Sequence, residues 1–202
     1  MSKILLTSAG FENPIVGDEF LNLVNKTPST IKVLFIPTAS RTEEELYYVE
    51  KSKEELLSIG IEEENIITFD LDYTLSEEEL NKFDVIYVCG GNTFYLLHRV
   101  RKIKFDKVIM DFVSSGKVYV GVSAGSLLAG PNIKIKDLYN DNDIGIKDFR
   151  GLNLTNITVI PHYTEEAKEK IEQIKEDAKY EIITLTDSQA LLIIDENIKV
   201  IE

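Results

Sequence analysis

The feature that most constrains this chain is an alternation. Short, mostly apolar runs recur at residues 3–7, 31–36, 66–69, 84–89 and 118–120. Between them lie polar stretches with helical spacing at 14–25, 42–58, the short segment 76–79, from Phe94 onward, and 105–115. Runs of this length with few alternating polar positions are what strands buried on both faces require. The pattern predicts an α/β fold with a mostly parallel sheet and helices on both of its faces. Local punctuation agrees. Thr42-Glu43-Glu44-Glu45 and Ser76-Glu77-Glu78-Glu79 have the capping-box form, while Gly60 and Gly116 stand where helices should stop. After the alternation comes a polar loop at 131–156. A strand at 157–160, a charged helix at 164–180 and strands at 181–185, 190–194 and 198–201 follow, with a tight turn at Asp195-Glu196-Asn197. The 202 residues are expected to form one domain spanning 1–202.

In such folds sites are built at the carboxyl ends of strands, and three strand ends here carry chemistry. Gly121-Val122-Ser123-Ala124-Gly125 follows the run at 118–120 and precedes small, helix-compatible residues. This is the strand–turn–helix setting of a nucleophile elbow, with the serine raised above the sheet and the following amides opening a helix. Gly90-Gly91-Asn92-Thr93 follows another strand and offers backbone N–H groups to a ligand; neither a dinucleotide fingerprint nor a phosphate loop is present. His162 follows the strand at 157–160. A serine nucleophile needs a base, and the chain holds two histidines, His98 and His162. His98 falls inside a helix, which favours His162. A carboxylate should orient the imidazole. Asp187, between two late strands, suits that role, with Asp143 as second choice and Asp137, Asp141 and Glu165 as rivals.

The net charge of −13 argues against nucleic acid or an anionic membrane surface as partner. The runs Glu43-Glu44-Glu45, Glu62-Glu63-Glu64 and Glu77-Glu78-Glu79 fall at helix ends and read as solvated faces rather than a metal site. No apolar run reaches membrane-spanning length. Met1-Ser2-Lys3-Ile4-Leu5-Leu6 is basic and then apolar, but the apolar part is short and reads as a first strand rather than a signal peptide. With the single Cys89 excluding a disulfide framework, a cytoplasmic location is expected. Cys89 itself reads as a buried small hydrophobe, with a thiol nucleophile as the less favoured alternative. Two scattered histidines and one cysteine make a poor zinc set, so neither metal nor organic cofactor is expected.

Cys89-Gly90-Gly91-Asn92-Thr93-Phe94-Tyr95-Leu96-Leu97, Gly121-Val122-Ser123-Ala124-Gly125-Ser126 and Pro161-His162-Tyr163 occur in that order. Together they resemble the dipeptidase E and cyanophycinase family of serine peptidases over nearly the whole chain, in length most like the dipeptidase E branch. The resemblance implies a three-layer α/β/α sandwich related to class I glutamine amidotransferases. It implies Ser123 as nucleophile, His162 as general base, and the backbone N–H groups of Gly91 and Ala124 as oxyanion donors. It places the acid in a late segment matched here by Leu185-Thr186-Asp187-Ser188, where aspartate stands for the family's glutamate, and it matches Asn142-Asp143 to a second acidic position. Gly90, Asn92 and Thr93 become expected substrate contacts. The family's aspartyl specificity rests on an arginine early in the helix after the histidine. That place falls at Ala167, leaving Lys168 and Lys170 as the available cations beside Glu165 and Glu166. Ser126-Leu127 is a further departure expected to alter the pocket. The implied activity is hydrolysis of a small peptide by a monomer or homodimer, with another amide or ester as the alternative substrate. A catalytically idle binding protein on the same fold is the rival from another class.

Overall fold

The computed structural model describes residues 1–135 and 142–202. Nine strands form two sheets among the described residues. In chain order they are β1 (Lys3–Thr7), β2 (Val33–Ile36), β3 (Ile66–Thr68), β4 (Val85–Val88), β5 (Val118–Val122), β6 (Ile157–Ile160), β7 (Glu181–Thr184), β8 (Ala190–Ile194) and β9 (Asn197–Ile201). The helices are α1 (Pro14–Val24), α2 (Glu43–Ser58), α3 (Glu77–Leu80), α4 (Thr93–Lys102), α5 (Phe105–Ser114), α6 (Ala124–Ala129) and α7 (Lys168–Asp177).

Seven strands make the central sheet in the order β3-β2-β4-β5-β1-β8-β9. The first five are mutually parallel, while β8 runs antiparallel to β1 and β9 antiparallel to β8. β2, β4 and β5 are buried at every position, which explains their continuous apolar runs. Alternate residues feed two cores. Leu5, Phe35 and Tyr87 pack with Phe20 of α1 and Leu56 of α2 on one face. Ile4, Ile36, Ile86 and Tyr119 pack with Phe94, Phe105 and Leu128 of α4, α5 and α6 on the other. The result is helices, sheet, helices, as the alternation predicts. Both capping boxes close, at Thr42 with Glu45 and at Ser76 with Glu79.

The later part of the chain differs from its expected form in two ways. β6 and β7 pair in parallel as a separate two-stranded sheet, with Ile160 opposite Thr184. The expected helix at 164–180 is shorter: a 3-10 turn at Glu165–Ala167 leads into α7, and Ala178 is already extended. α7 packs through Ile171 and Ile174 against Leu127, Ile160 and Ile182, so only its middle turns have an apolar anchor.

Candidate active site

Ser123 lies between β5 and α6 with φ 46° and ψ −99°. A side chain in this region is strained, and the surroundings impose it. Gly121 and Gly125 face each other so closely that a β-carbon on Gly121 would lie 2.6 Å from the Gly125 backbone. A β-carbon on Gly125 would lie 2.3 Å from the Val88 carbonyl oxygen. The Tyr119 hydroxyl donates to the Gly125 carbonyl at 2.8 Å, and the Ser123 N–H donates to the Thr7 carbonyl at 3.0 Å. Ser126 does not line the cavity beside Ser123. It is fully buried, and its hydroxyl lies 2.7 Å from both the Thr7 and Gly121 carbonyls, tying the turn to β1 and β5.

Strand pairing brings the distant residues together. Thr7 pairs with Val122, so the residue after β1, Ser8, stands beside Ser123. Thr7 also pairs with Ala190, which brings the segment before β8, including Asp187, to the same edge. The pairing of Ile160 with Thr184 sets His162, just past β6, beside Asp187, just past β7. The distances form one chain: Ser123 Oγ to His162 Nε2 is 2.9 Å, and His162 Nδ1 to Asp187 Oδ1 is 2.6 Å. Burial alone would raise the Asp187 carboxyl. The hydrogen bonds from Ser8 and His162 outweigh it and hold the group below its ordinary range, so it is an anion at neutral pH.

The other sequence-predicted residues separate into two groups. Gly90 and Gly91 line the same cavity as Ser123, Gly90 packing against the serine side chain. Gly91 has φ 121°, and a β-carbon there would sit 2.3 Å from the Ala39 carbonyl oxygen, so no other residue fits without moving the loop. Ala124 opens α6, where the first N–H groups have no intrahelical acceptor. Asn92, Thr93, Lys168 and Lys170 do not line the cavity. Asn92 caps α4 by accepting from the Tyr95 N–H, and Thr93 is buried with its hydroxyl unbonded. Lys168 pairs with Glu165 on an exposed face. Asp143 is not beside the imidazole: its carboxylate binds Arg41 at 2.6 Å and meets the Asn92 amide at 3.4 Å. Asp137 and Asp141 fall outside the described residues. His98 is exposed on α4. Burial pushes the Cys89 thiol well above its ordinary range, which leaves it protonated and a poor nucleophile.

Sequence reasoning passed over two features. Ser8, read only as loop, donates to Asp187 Oδ1 at 2.8 Å and accepts from the His162 backbone N–H at 2.7 Å. Its position at a strand end was the available signal. The second is α2, whose Glu45, Tyr48, Lys51, Ser52 and Glu55 wall a cavity of about 310 Å³ that reaches Ser123. Glu12 joins them and pairs with Lys51. Among the described residues no three His, Cys, Asp or Glu side chains gather as a metal site would require, and no helix is long and apolar enough to cross a membrane.

The chain matches the model of peptidase family S51 over residues 4–201. It is 35% identical over 202 residues to an uncharacterized peptidase of Listeria monocytogenes, covering 96% of this chain and 95% of that one. A peptidase E of Nostoc sp. is 35% identical over 175 residues, covering 81% of this chain and 67% of the relative. A solved structure of a candidate peptidase E protein from Listeria monocytogenes superposes with a TM-score of 0.80 at 32% identity, covering 99% of this chain and 98% of that one.

Proposed function

The chain belongs to peptidase family S51 and is thus a serine-type hydrolase, and from that premise we propose that it cleaves dipeptides or short peptides through Ser123, His162 and Asp187. Ser123 Oγ attacks the peptide carbonyl carbon as its proton passes to His162 Nε2. The carbonyl oxygen becomes an anion held by the Ala124 and Gly91 N–H groups, each donor of this kind being worth roughly 3–4 kcal/mol of barrier. The tetrahedral species collapses, the C–N bond breaks, and His162 gives its proton to the leaving amine. A water then attacks the acyl-enzyme, losing a proton to His162, and the second collapse returns the proton to Ser123. Asp187 stays ionised throughout and holds the imidazole with Nε2 toward the serine. The observation that carries this reading is the unbroken Ser123–His162–Asp187 hydrogen-bond chain at the mouth of the cavity.

The cavity wall bears on the substrate. Among the described residues that line it, Glu12, Glu45 and Glu55 stand against Lys51, and Lys51 already pairs with Glu12. An acidic side chain entering this cavity meets net repulsion, so neutral and basic dipeptides are the expected substrates and Asp-X dipeptides poor ones. One experiment tests both parts. A fluorophosphonate probe should label folded wild-type protein but not Ser123→Ala, and a dipeptide panel should show Asp-X cleaved at least about tenfold more slowly than the best neutral or basic substrate. Labelling that survives Ser123→Ala removes the nucleophile. Asp-X as the best substrate removes the specificity reading and leaves the nucleophile standing.

A further inference from the structure

We propose that Ser8 is a positioning residue that locks the imidazole and the carboxylate of the site into their working orientation; this rests on the reading of His162 as base and Asp187 as its partner. A serine hydroxyl has one proton to donate and two lone pairs to accept with. At Ser8 the proton goes to Asp187 Oδ1 at 2.8 Å, because a carboxylate can only accept. One lone pair takes the His162 backbone N–H at 2.7 Å. The hydroxyl therefore has no proton left for His162 Nδ1, which lies 3.4 Å away. The proton in the 2.6 Å contact between Nδ1 and Asp187 must come from the imidazole. In the neutral ring this places the lone pair on Nε2, 2.9 Å from Ser123 Oγ, where a base is needed.

Ser8 has reason to matter at both of its contacts. The Asp187 side chain is 59% exposed, so without a second donor its carboxylate is free to turn toward water. His162 has φ 57°, a left-handed backbone that costs a side-chain-bearing residue energy unless its surroundings hold it. The bond from its N–H to Ser8 is one such hold. Ser8 is itself fully buried and follows directly on β1, whose neighbours on either side are β5, which leads into Ser123, and β8, which follows Asp187. Its hydroxyl is thus fixed to the sheet while the two groups it binds come from loops.

The test compares full-length Ser8→Ala, Ser8→Cys and Ser8→Thr with wild type. Cysteine nearly keeps the size of serine but bonds weakly through sulfur, while threonine keeps the hydroxyl. Two readings are taken: the second-order rate of Ser123 labelling by a fluorophosphonate probe, and the NMR signal of the His162 Nδ1–H proton, assigned with a His98→Gln background. Ser8→Ala and Ser8→Cys should label roughly 10–100-fold more slowly, as misplacement of a reacting pair predicts, and should lose or broaden the Nδ1–H signal. Ser8→Thr should label within about threefold of wild type. Ser8→Ala or Ser8→Cys with a near wild-type rate and an intact signal overturns the proposal and leaves Ser8 a packing residue. If Ser8→Ala does not fold, Ser8→Cys decides. The NMR reading does not involve Ser123, so unlabelled wild type counts against the nucleophile, whereas a signal unchanged by Ser8→Cys counts against Ser8.

Discussion

At the scale of single residues, two carboxylates in one cavity are driven in opposite directions by their surroundings. Asp187 has Ser8 and His162 as donors and sits below its ordinary value although partial desolvation alone would raise it. Glu55 is partly buried and accepts from the Phe11 N–H at 2.8 Å. Burial dominates, and neither that bond nor Lys51 brings the carboxyl back down. The sign follows from proton linkage. A carboxyl whose native value is raised binds its proton more tightly folded than unfolded, so it favours the native state at low pH. That advantage is lost as pH rises from the ordinary glutamate value near about 4.3 through the raised native one. Glu55→Gln keeps an acceptor for Phe11 but cannot ionise. Relative to wild type, the variant should gain stability as pH rises above the ordinary glutamate value near about 4.3, read from urea unfolding at each pH. A difference independent of pH would place the Glu55 carboxyl at its ordinary value.

At the scale of elements, the site depends on how strand ends and helices are set. α2 supplies much of the cavity wall, and its first turn is organised by the Thr42 and Glu45 capping box. Glu45 Oε2 accepts from the Thr42 and Arg41 N–H groups, while the Thr42 hydroxyl accepts from the Glu45 N–H. Arg41 goes on to pair with Asp143, linking this helix start to the loop beyond residue 142 and to the Asn92 cap of α4. Thr42→Ala should cost about 1 kcal/mol of stability, the usual worth of such a cap, measured by urea unfolding. It should leave the fluorophosphonate labelling rate unchanged, because Thr42 touches neither Ser123 nor its partners. A loss of labelling would mean that the wall and the relay are coupled through α2. The three glutamates after Thr42 were legible in the sequence as the helix start they are. That this helix would face Ser123 was not, because its neighbour across the cavity is set by strand order.

At the scale of the molecule, 35 acidic residues stand against 22 basic ones. Like charge repels across a surface of this kind, and added salt screens it within about 8–10 Å at physiological ionic strength. Several of the cations are already paired, including Lys26 with Asp84, Arg99 with Asp72 and Arg150 with Asp148. Exposed pairs such as these are each worth at most about 1 kcal/mol. The melting temperature should therefore rise as sodium chloride goes from about 20 to about 200 mM and screens the net repulsion. A fall would mean that the pairs dominate. Every member of the proposed relay comes from one chain, so we expect labelling per chain to be independent of protein concentration.

Much of the architecture was written locally. Continuous apolar runs at β2, β4 and β5, short and alternating with helical stretches, read as strands buried on both faces, as they are, and the capping residues at Thr42 and Ser76 marked their helices because those signals act within four residues. The strand, turn and helix around Ser123 were legible for the same reason: the two glycines and the strand are adjacent in sequence. What the chain could not disclose was register. His162 and Asp187 meet because β6 and β7 pair as a separate parallel sheet, with Ile160 opposite Thr184. Ser8 reaches both because β1 lies between β5 and β8. Pairing between strands that are not adjacent in the chain is decided by which faces the whole core can bury, and a shift by one residue would turn each side chain to the opposite face. The sequence by itself therefore determined the layers and the turn at Ser123 and put Asp187 first among the acids; the tertiary structure alone decided that Asp187 rather than Asp143 faces the imidazole and that a buried serine stands behind them.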